Sequence, residues 1–434
     1  MIITTESEVP DMPEKAGKKP KTQPPKKKKS EFKKLFHMGS IDVIFCCIVF
    51  LLFAFGLVMM YSASYAFAAA QEGSANAYLK KQLFFGILGI VAMFVVSFVD
   101  YRIFNSWVTP FVIMPVSLLL LLAAFIQNRG SSIKRWLSLG PIGFQPSEVA
   151  KLALILVMAY MICILSQTLE AKKGQKVIAK RSGLTKFEKG LYYFVDTPLK
   201  ASILLSAIIV IFAMFVIIGK HLSGTILIFL IGVSMLWLGG VPKKYFAILG
   251  VVVVAVVVVV MLKPDLLKLF SDYAYERIMV WKSKEAFGST TYWQTEQGLL
   301  AIGSGGFFGL GLGNSRQKLL YVPEPQNDFI FTIVCEELGV IGAAAVILLF
   351  AVLIIRGFMI AVRVKDYFGS LLVCGIMMQI GLQVLLNIAV VTDSIPNTGI
   401  SLPFFSYGGT SLFILFLEMG LVLSVSRKSY IEKI

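Results

Sequence analysis

Histidine is almost missing from this chain: His37 and His221 are the two among 434 residues. A histidine-rich metal centre is excluded on that count. Charge is scarce too. Only 15% of the residues are Asp, Glu, Lys or Arg, against 57% hydrophobic. A water-soluble domain cannot hide that much apolar surface, so a soluble globular enzyme is excluded. The five cysteines, Cys46, Cys47, Cys163, Cys335 and Cys374, all lie in hydrophobic runs. Their spacing fits neither a zinc site nor a disulfide framework, and they read as small packing residues. No cleavable signal peptide is expected, because the first apolar run begins near Ile41 and is too long for a signal core.

What is present is length in apolar runs. They recur near 41–62, 82–99, 107–126, 147–166, 200–218, 223–240, 245–262, 328–355, 367–391 and 408–425. Each suffices to cross a bilayer, so the expected fold is an all-α polytopic membrane protein with ten transmembrane helices. The domain plan follows: a basic tail over 1–40, a membrane domain over 41–428 and a short C-terminus over 429–434. The net charge of +16 is uneven, with ten lysines among prolines in residues 15–34. That composition reads as a cytoplasmic tail touching anionic lipid rather than a nucleic-acid arm. With the N-terminus inside, the cytoplasmic segments hold most of the 41 Lys and Arg, much of the excess coming from the tail and the 167–199 loop. Both termini are then cytoplasmic, and the long loop 263–327 between the seventh and eighth helices faces outside. Nucleotide donors are absent there, so bond-forming chemistry in that loop needs a donor already activated, such as a lipid-linked diphosphate.

Four stretches carry polar residues that can do chemistry. In Gln145-Pro146-Ser147-Glu148-Val149-Ala150-Lys151, Pro146 marks a helix start and Ser147 or Gln145 is placed to cap it. Glu148 and Lys151 share one helical face at the outer end of a span, as a packing ion pair or as the wall of a substrate cavity. Lys220-His221, in the turn Gly219 to Thr225, is either an anion contact or a plain hairpin. The long loop holds Asp265, Asp272, Glu276, Arg277, Glu285, Glu296, Arg316, Lys318, Glu324 and, at its end, Asp328. Carboxylates beside fixed cations suit glycosyl or phosphoryl transfer. Its glycines from Gly303 to Gly313 form either an anion-cradling turn or a close-packing surface; no G-K-[ST] ending follows them, which excludes a nucleotide P-loop. Last, Ile395 to Ser411 contains two prolines and three glycines and predicts a sharply bent segment covered by protein.

Taken together, the words KRWLSLGPIGFQPSEVAKL, Gln294 to Gly342 with its YVPEPQNDFIF, and IPNTGISLPFFSYGGTSL resemble the SEDS family of FtsW, RodA and SpoVE, in the family's order over roughly residues 40–428. The form of YVPEPQNDFIF is closer to FtsW and SpoVE than to RodA. The resemblance implies a peptidoglycan glycosyltransferase of the bacterial plasma membrane. Such enzymes polymerise lipid II, release undecaprenyl diphosphate outside the cell, and work beside a class B penicillin-binding protein and other division or elongation proteins. It also implies the substrate and diphosphate contacts: Arg135 (beside Trp136), Glu148, Lys151, Gln294, Gln297, Lys318, Glu324, Asp328, Ser406 and Ser411, with Glu337 in the same motifs.

One stretch departs from the family. Where an aspartate usually precedes a D-P-x-G-x-G-Y-Q run, this chain has Glu285-Ala286-Phe287-Gly288-Ser289-Thr290-Thr291-Tyr292-Trp293-Gln294. Glutamate keeps the carboxylate but reaches one methylene further. Glu285 is the expected general base on the acceptor's sugar hydroxyl, with Asp272 as the fallback. Lys151, Arg135 and Lys318 are the expected diphosphate cations, with or without a divalent ion such as Mg or Mn. Lys220-His221 likewise replaces the family's common Pro-Asp. Two other function classes share these features: a lipid-precursor flippase or transporter, and a catalytically weakened division scaffold.

Overall fold

The computed structural model describes residues 39–128, 136–139, 142–172, 190–191, 194–195, 197–269, 272–283 and 290–431. The basic tail, most of the basic 167–199 loop, Arg135 and Glu285 lie outside the described residues. The helices are α1 (Val43–Glu72), α2 (Ala77–Phe98), α3 (Met114–Gln127), α4 (Pro146–Lys172), α5 (Pro198–Ile218), α6 (Leu222–Leu238), α7 (Lys243–Leu262), α8 (Asp272–Lys282), α9 (Thr290–Gly305), α10 (Ile330–Arg363), α11 (Tyr367–Val391) and α12 (Gly409–Ile431). Among the described residues, eight helices are long and apolar enough to cross a membrane, α3 counting with the π-helical turn Thr109–Ile113 that precedes it. The chain is therefore a multi-pass helical membrane protein. The other two apolar runs fold as α6 and α7; α6, at 17 residues, spans about 25 Å against an apolar core of about 30 Å.

Local chemistry sets the helix ends. Asp42 caps α1 by accepting from Phe45 N at 3.0 Å, and Asp366 caps α11 by accepting from Gly369 N at 3.2 Å. Arg356 of α10 reaches Asp42 with Nη2–Oδ2 at 2.8 Å, tying the start of α1 to α10. The all-α expectation misses one feature: β1 (Leu137–Leu139) and β2 (Ile142–Phe144) form an antiparallel hairpin just before α4. Three-residue strands are too short to leave a period in the sequence.

Burial singles out the centre of the bundle. Of a membrane-length window in α4, 83% is buried, against 22% for the helix ending at Gln127. Helices α3, α5, α6, α11 and α12 all pack on α4, which places its first turns inside the bundle. α2 and α12 pack along each other, as do α10 and α11.

The run expected as one span over 328–355 is broken. Within α10, Gly339 adopts φ 64°, ψ −162°, a conformation open to glycine alone. The break exposes backbone groups that the glycine-rich stretch then satisfies. Leu310 N donates to Glu336 O at 2.9 Å and Gly311 N to Glu337 O at 2.9 Å, while Val340 N donates to Gly306 O at 3.0 Å. A Cβ at Gly309 would sit 2.2 Å from Glu337 O, and one at Gly305 2.0 Å from Cys335 O. The close-packing alternative for these glycines is the one observed.

Candidate active site

The first turns of α4 build the core of the site. Lys151 Nζ lies 2.8 Å from Glu148 Oε2 and donates to Gln383 Oε1 of α11 at 3.3 Å. Gln383 Nε2 in turn donates to Ser401 O at 2.9 Å and Ser401 Oγ at 3.1 Å. A lysine that is 2% exposed is thus held in one orientation by a carboxylate and an amide. The expected side-chain cap differs: Glu148 N donates to the backbone carbonyl of Gln145 at 3.1 Å, and the buried Ser147 hydroxyl has no protein partner.

These groups line a cavity of about 760 Å³, a size that suits a small-molecule or lipid head group. It opens at the end of the bundle where α2, α4, α6 and α12 begin. Lys80, Lys81, Lys151 and Arg277 bring positive charge to its walls; Glu148, Glu324 and Asp328 bring negative charge. Phe84, Phe85 and Leu227 add apolar surface to its lining, and Phe84 is itself 61% exposed on the surface of the bundle. Polar and apolar walls therefore meet in a single cavity.

The 394–408 segment closes the site and has the bent, buried form its prolines and glycines predicted. Asn387 Nδ2 donates to Ile400 O at 2.7 Å and Asp328 O at 2.8 Å. Gln82 donates from Nε2 to Ser406 O and accepts from Gly408 N, both at 3.2 Å. Amide side chains of neighbouring helices thus satisfy irregular backbone that water cannot reach. Phe404 takes φ 64°, and its carbonyl fills the space where a side chain at Gly56 would begin. Tyr407, on the cavity wall, packs edge-on to Tyr78 with centroids 4.7 Å apart. Burial, then the neighbouring Tyr78 and Glu72, pushes its phenol up to about 12, so it stays a neutral hydrogen-bond donor.

The 263–327 loop docks on this segment through α8 and α9. Arg277 Nη1 donates to Asn397 O at 2.7 Å and Trp281 Nε1 to Asp393 O at 3.0 Å. Gln294 donates to Pro323 O at 3.0 Å and accepts from Asn397 Nδ2 at 3.3 Å. Glu324 accepts from Asn327 Nδ2 at 2.7 Å.

Six of the expected contact residues meet in the cavity: Glu148, Lys151, Gln294, Glu324, Asp328 and Ser411. Three do not line it. Lys318 is 1% exposed; its ammonium lies 2.6 Å from Glu337 Oε1 and donates to Ser62 Oγ at 3.0 Å. It is an internal cation with a protein counter-ion, and it does not line the cavity. Gln297 is buried away from the cavity. Ser406 also lies off it, its hydroxyl oxygen accepting from Leu402 N at 2.7 Å to brace the bent segment. The anion-cradling alternative survives in altered form just after the glycines. Ser315 Oγ and the amides of Arg316 and Gln317 all donate to the Glu336 carboxylate, so the anion cradled there belongs to the protein.

Lys80, Lys81 and Gln383 were not singled out from sequence. The signals were present: two adjacent lysines at the outer end of an apolar run, against the inside bias of basic residues, and an amide in the middle of another run. The Gly219–Thr225 turn joins α5 to α6. His221 lines the cavity, whereas Lys220 is exposed with φ 55° and does not. Thr225 Oγ1 donates back to His221 O at 2.9 Å rather than capping α6.

The profile of a family described as "Cell cycle protein", FtsW/RodA/SpoVE, matches residues 42–431. The chain belongs to that family. Among its FtsW/RodA/SpoVE relatives, stage V sporulation protein E of Bacillus subtilis is 36% identical over 402 residues, covering 90% of this chain and 98% of that protein. A probable peptidoglycan glycosyltransferase FtsW of Trichlorobacter lovleyi is 34% identical over 397 residues, covering 91% and 95%. Solved structures share the FtsW/RodA/SpoVE fold. A chain from a peptidoglycan synthase complex that coordinates polymerization and crosslinking has a TM-score of 0.66 at 23% identity, covering 90% of this chain and 99% of that one. The rod shape determining protein RodA of Thermus thermophilus has a TM-score of 0.58 at 24% identity, covering 90% and 98%.

Proposed function

We propose that this chain is a peptidoglycan glycosyltransferase that polymerises lipid II at the outer face of the bacterial plasma membrane, with undecaprenyl diphosphate as leaving group. The observation that carries the reading is the cavity whose lining combines Lys151, locked by Glu148 and Gln383, with Glu324, Asp328 and the apolar Phe84, Phe85 and Leu227. A lipid-linked diphosphate has the same division into anion and hydrocarbon. Supporting it are relatives named for this activity at 34% identity. In this reading the chain crosses the membrane ten times, α6 and α7 included, with both termini cytoplasmic and the cavity outside. The bias of basic residues supports that orientation.

As the glycosidic oxygen departs, charge grows on the diphosphate. Lys151 and Arg277, held by protein partners, are fixed donors for that charge, and the exposed Lys80 and Lys81 add positive charge beside them. Glu285, outside the described residues, is the base that takes the proton of the sugar 4-hydroxyl as it attacks the anomeric carbon with inversion. Arg135, also outside them, is a further cation for the diphosphates. Tyr407 supplies a neutral donor. Among the described residues no three His, Cys, Asp or Glu gather as metal ligands. A Mg or Mn ion carried by the diphosphate would need only one or two protein carboxylates, and Glu148, Glu324 and Asp328 are the cavity residues that would hold it and help neutralise the leaving group. The partner in this reading is a class B penicillin-binding protein that crosslinks the glycan.

Purified full-length chain with such a partner should convert lipid II to a glycan ladder on a gel. Glu285→Ala should abolish the ladder while the protein still purifies folded, and Glu285→Asp should retain it. Equal product from Glu285→Ala removes Glu285 from the role. No ladder, together with fluorescent lipid II crossing liposome membranes, assigns a transporter instead; neither activity assigns a scaffold.

A further inference from the structure

Behind the large cavity lies a second one of about 20 Å³. The two share Glu148, Gln383, Ser401 and Ser411, so the small cavity is an extension of the site into the bundle. Its far wall holds Gln379 of α11 and Glu418 of α12. Glu418 is fully buried. Its carboxylate accepts from Gln379 Nε2 at 2.8 and 2.9 Å, and among the described residues no cation lies within ion-pair distance of it. Gln379 is 3% exposed, and its other atom, Oε1, is buried without a partner among the described residues.

A buried amide oxygen without a partner keeps the desolvation penalty of burial uncompensated, and native proteins resolve such cases with an ordered water. A water site needs about 10–15 Å³ and two to four polar partners. This cavity has the volume, and the two O–H groups of one water match two acceptors on its wall, Gln379 Oε1 and the Glu148 carboxylate, while Glu418 holds the Gln379 amide through its Nε2. Glu418 also senses the charges of both Lys151 and Glu148. We propose that Gln379 and Glu418 are positioning residues for the Glu148–Lys151 pair, acting through one internal water held in this second cavity. Glu148 spends one oxygen on Lys151. The water anchors the carboxylate from behind, so the ammonium stays aimed at the large cavity. A well-packed Leu at position 379 would remove the amide and displace the water, and the pair would lose its rear support.

The inference rests on the reading of Glu148–Lys151 as the diphosphate-holding pair. Its test is a double-mutant cycle in the full chain, with farnesyl diphosphate binding and lipid II polymerisation measured side by side. Gln379→Leu and Glu418→Ala should each weaken farnesyl diphosphate binding about tenfold and raise KM for lipid II more than they lower kcat. Glu418→Gln, which keeps hydrogen-bonding atoms in place, should restore both. The double variant Glu148→Gln/Gln379→Leu should bind no worse than Glu148→Gln alone, because both changes break one unit. Additive losses would overturn the proposal, as would a loss that follows a lowered melting temperature and is not rescued by Glu418→Gln. Failure of the parent chain to bind farnesyl diphosphate would overturn it too. Polymer formation with an additive cycle removes the water unit and leaves the glycosyltransferase reading standing. A non-additive binding cycle without polymer does the reverse.

Discussion

Lys318 and Glu337 face each other at 2.6 Å with almost no exposed surface, and Ser62 of α1 donates to both carboxylate oxygens, at 2.7 and 2.8 Å. Removing one partner of such a pair leaves a bare charge in the interior, at a cost of about 3–5 kcal/mol. Lys318→Ala should therefore lower the melting temperature in detergent sharply, while the surviving folded fraction keeps its KM for lipid II. A raised KM with an unchanged melting temperature would return Lys318 to the substrate. Sequence alone could not separate these roles, because a lysine in a polar loop looks the same whether its counter-ion is a substrate or Glu337, nineteen residues later on the broken helix. Tyr407 yields a pH prediction. Its folded-state phenol titrates near 12 and its unfolded one near about 10. The unfolded chain releases that proton first as pH rises, so the stability Tyr407 contributes is present below pH ~10 and lost between there and 12. Thermal melts of Tyr407→Phe across that window should fall less steeply than those of the parent chain.

At the scale of elements, the decisive one is α10, interrupted at Gly339. A Cβ there would lie 2.5 Å from both Gly309 N and Phe307 O, and φ is positive. Gly339→Ala thus meets backbone on one side and strain of about 1–3 kcal/mol on the other, and should leave little folded protein by size-exclusion profile. Gly303 is the contrast: it lies inside α9, nothing comes within 4 Å of an added Cβ, and its φ is not positive. Gly303→Ala should hold or raise the melting temperature, by up to about 1 kcal/mol of helix propensity. The sequence of the glycine cluster pointed to close approach or to an anion cradle. The partner that settled it, the broken turn at 336–341, is invisible to local pattern, since Glu336-Glu337-Leu338-Gly339 reads as the interior of one continuous apolar helix. The bent 394–408 segment was more legible, because prolines and glycines act locally on φ and ψ.

At the scale of the whole molecule, the bilayer makes the fold checkable. In a cysteine-free background, Asn314→Cys should react with a membrane-impermeant thiol reagent on intact cells, and Lys365→Cys should react only after lysis. The reverse pattern would invert the proposed topology and move the cavity to the cytoplasm. What the sequence determined by itself is the class and the family: apolar runs of bilayer length require helices, because lipid offers backbone groups no partner, and the order of the motif words is a property of the chain. The start of α4 was equally readable, since i,i+3 spacing brings Glu148 and Lys151 together within a single helix. What only the tertiary structure decided is which polar residues meet. Lys80, Arg277, Gln383 and Asp328 reach one cavity from four distant parts of the chain, while Lys318, expected to join them, turns inward to Glu337. In an interior that excludes water, each buried charge settles on whichever counter-charge the packing of helices brings within reach, and that proximity is set by the fold and not by spacing along the chain.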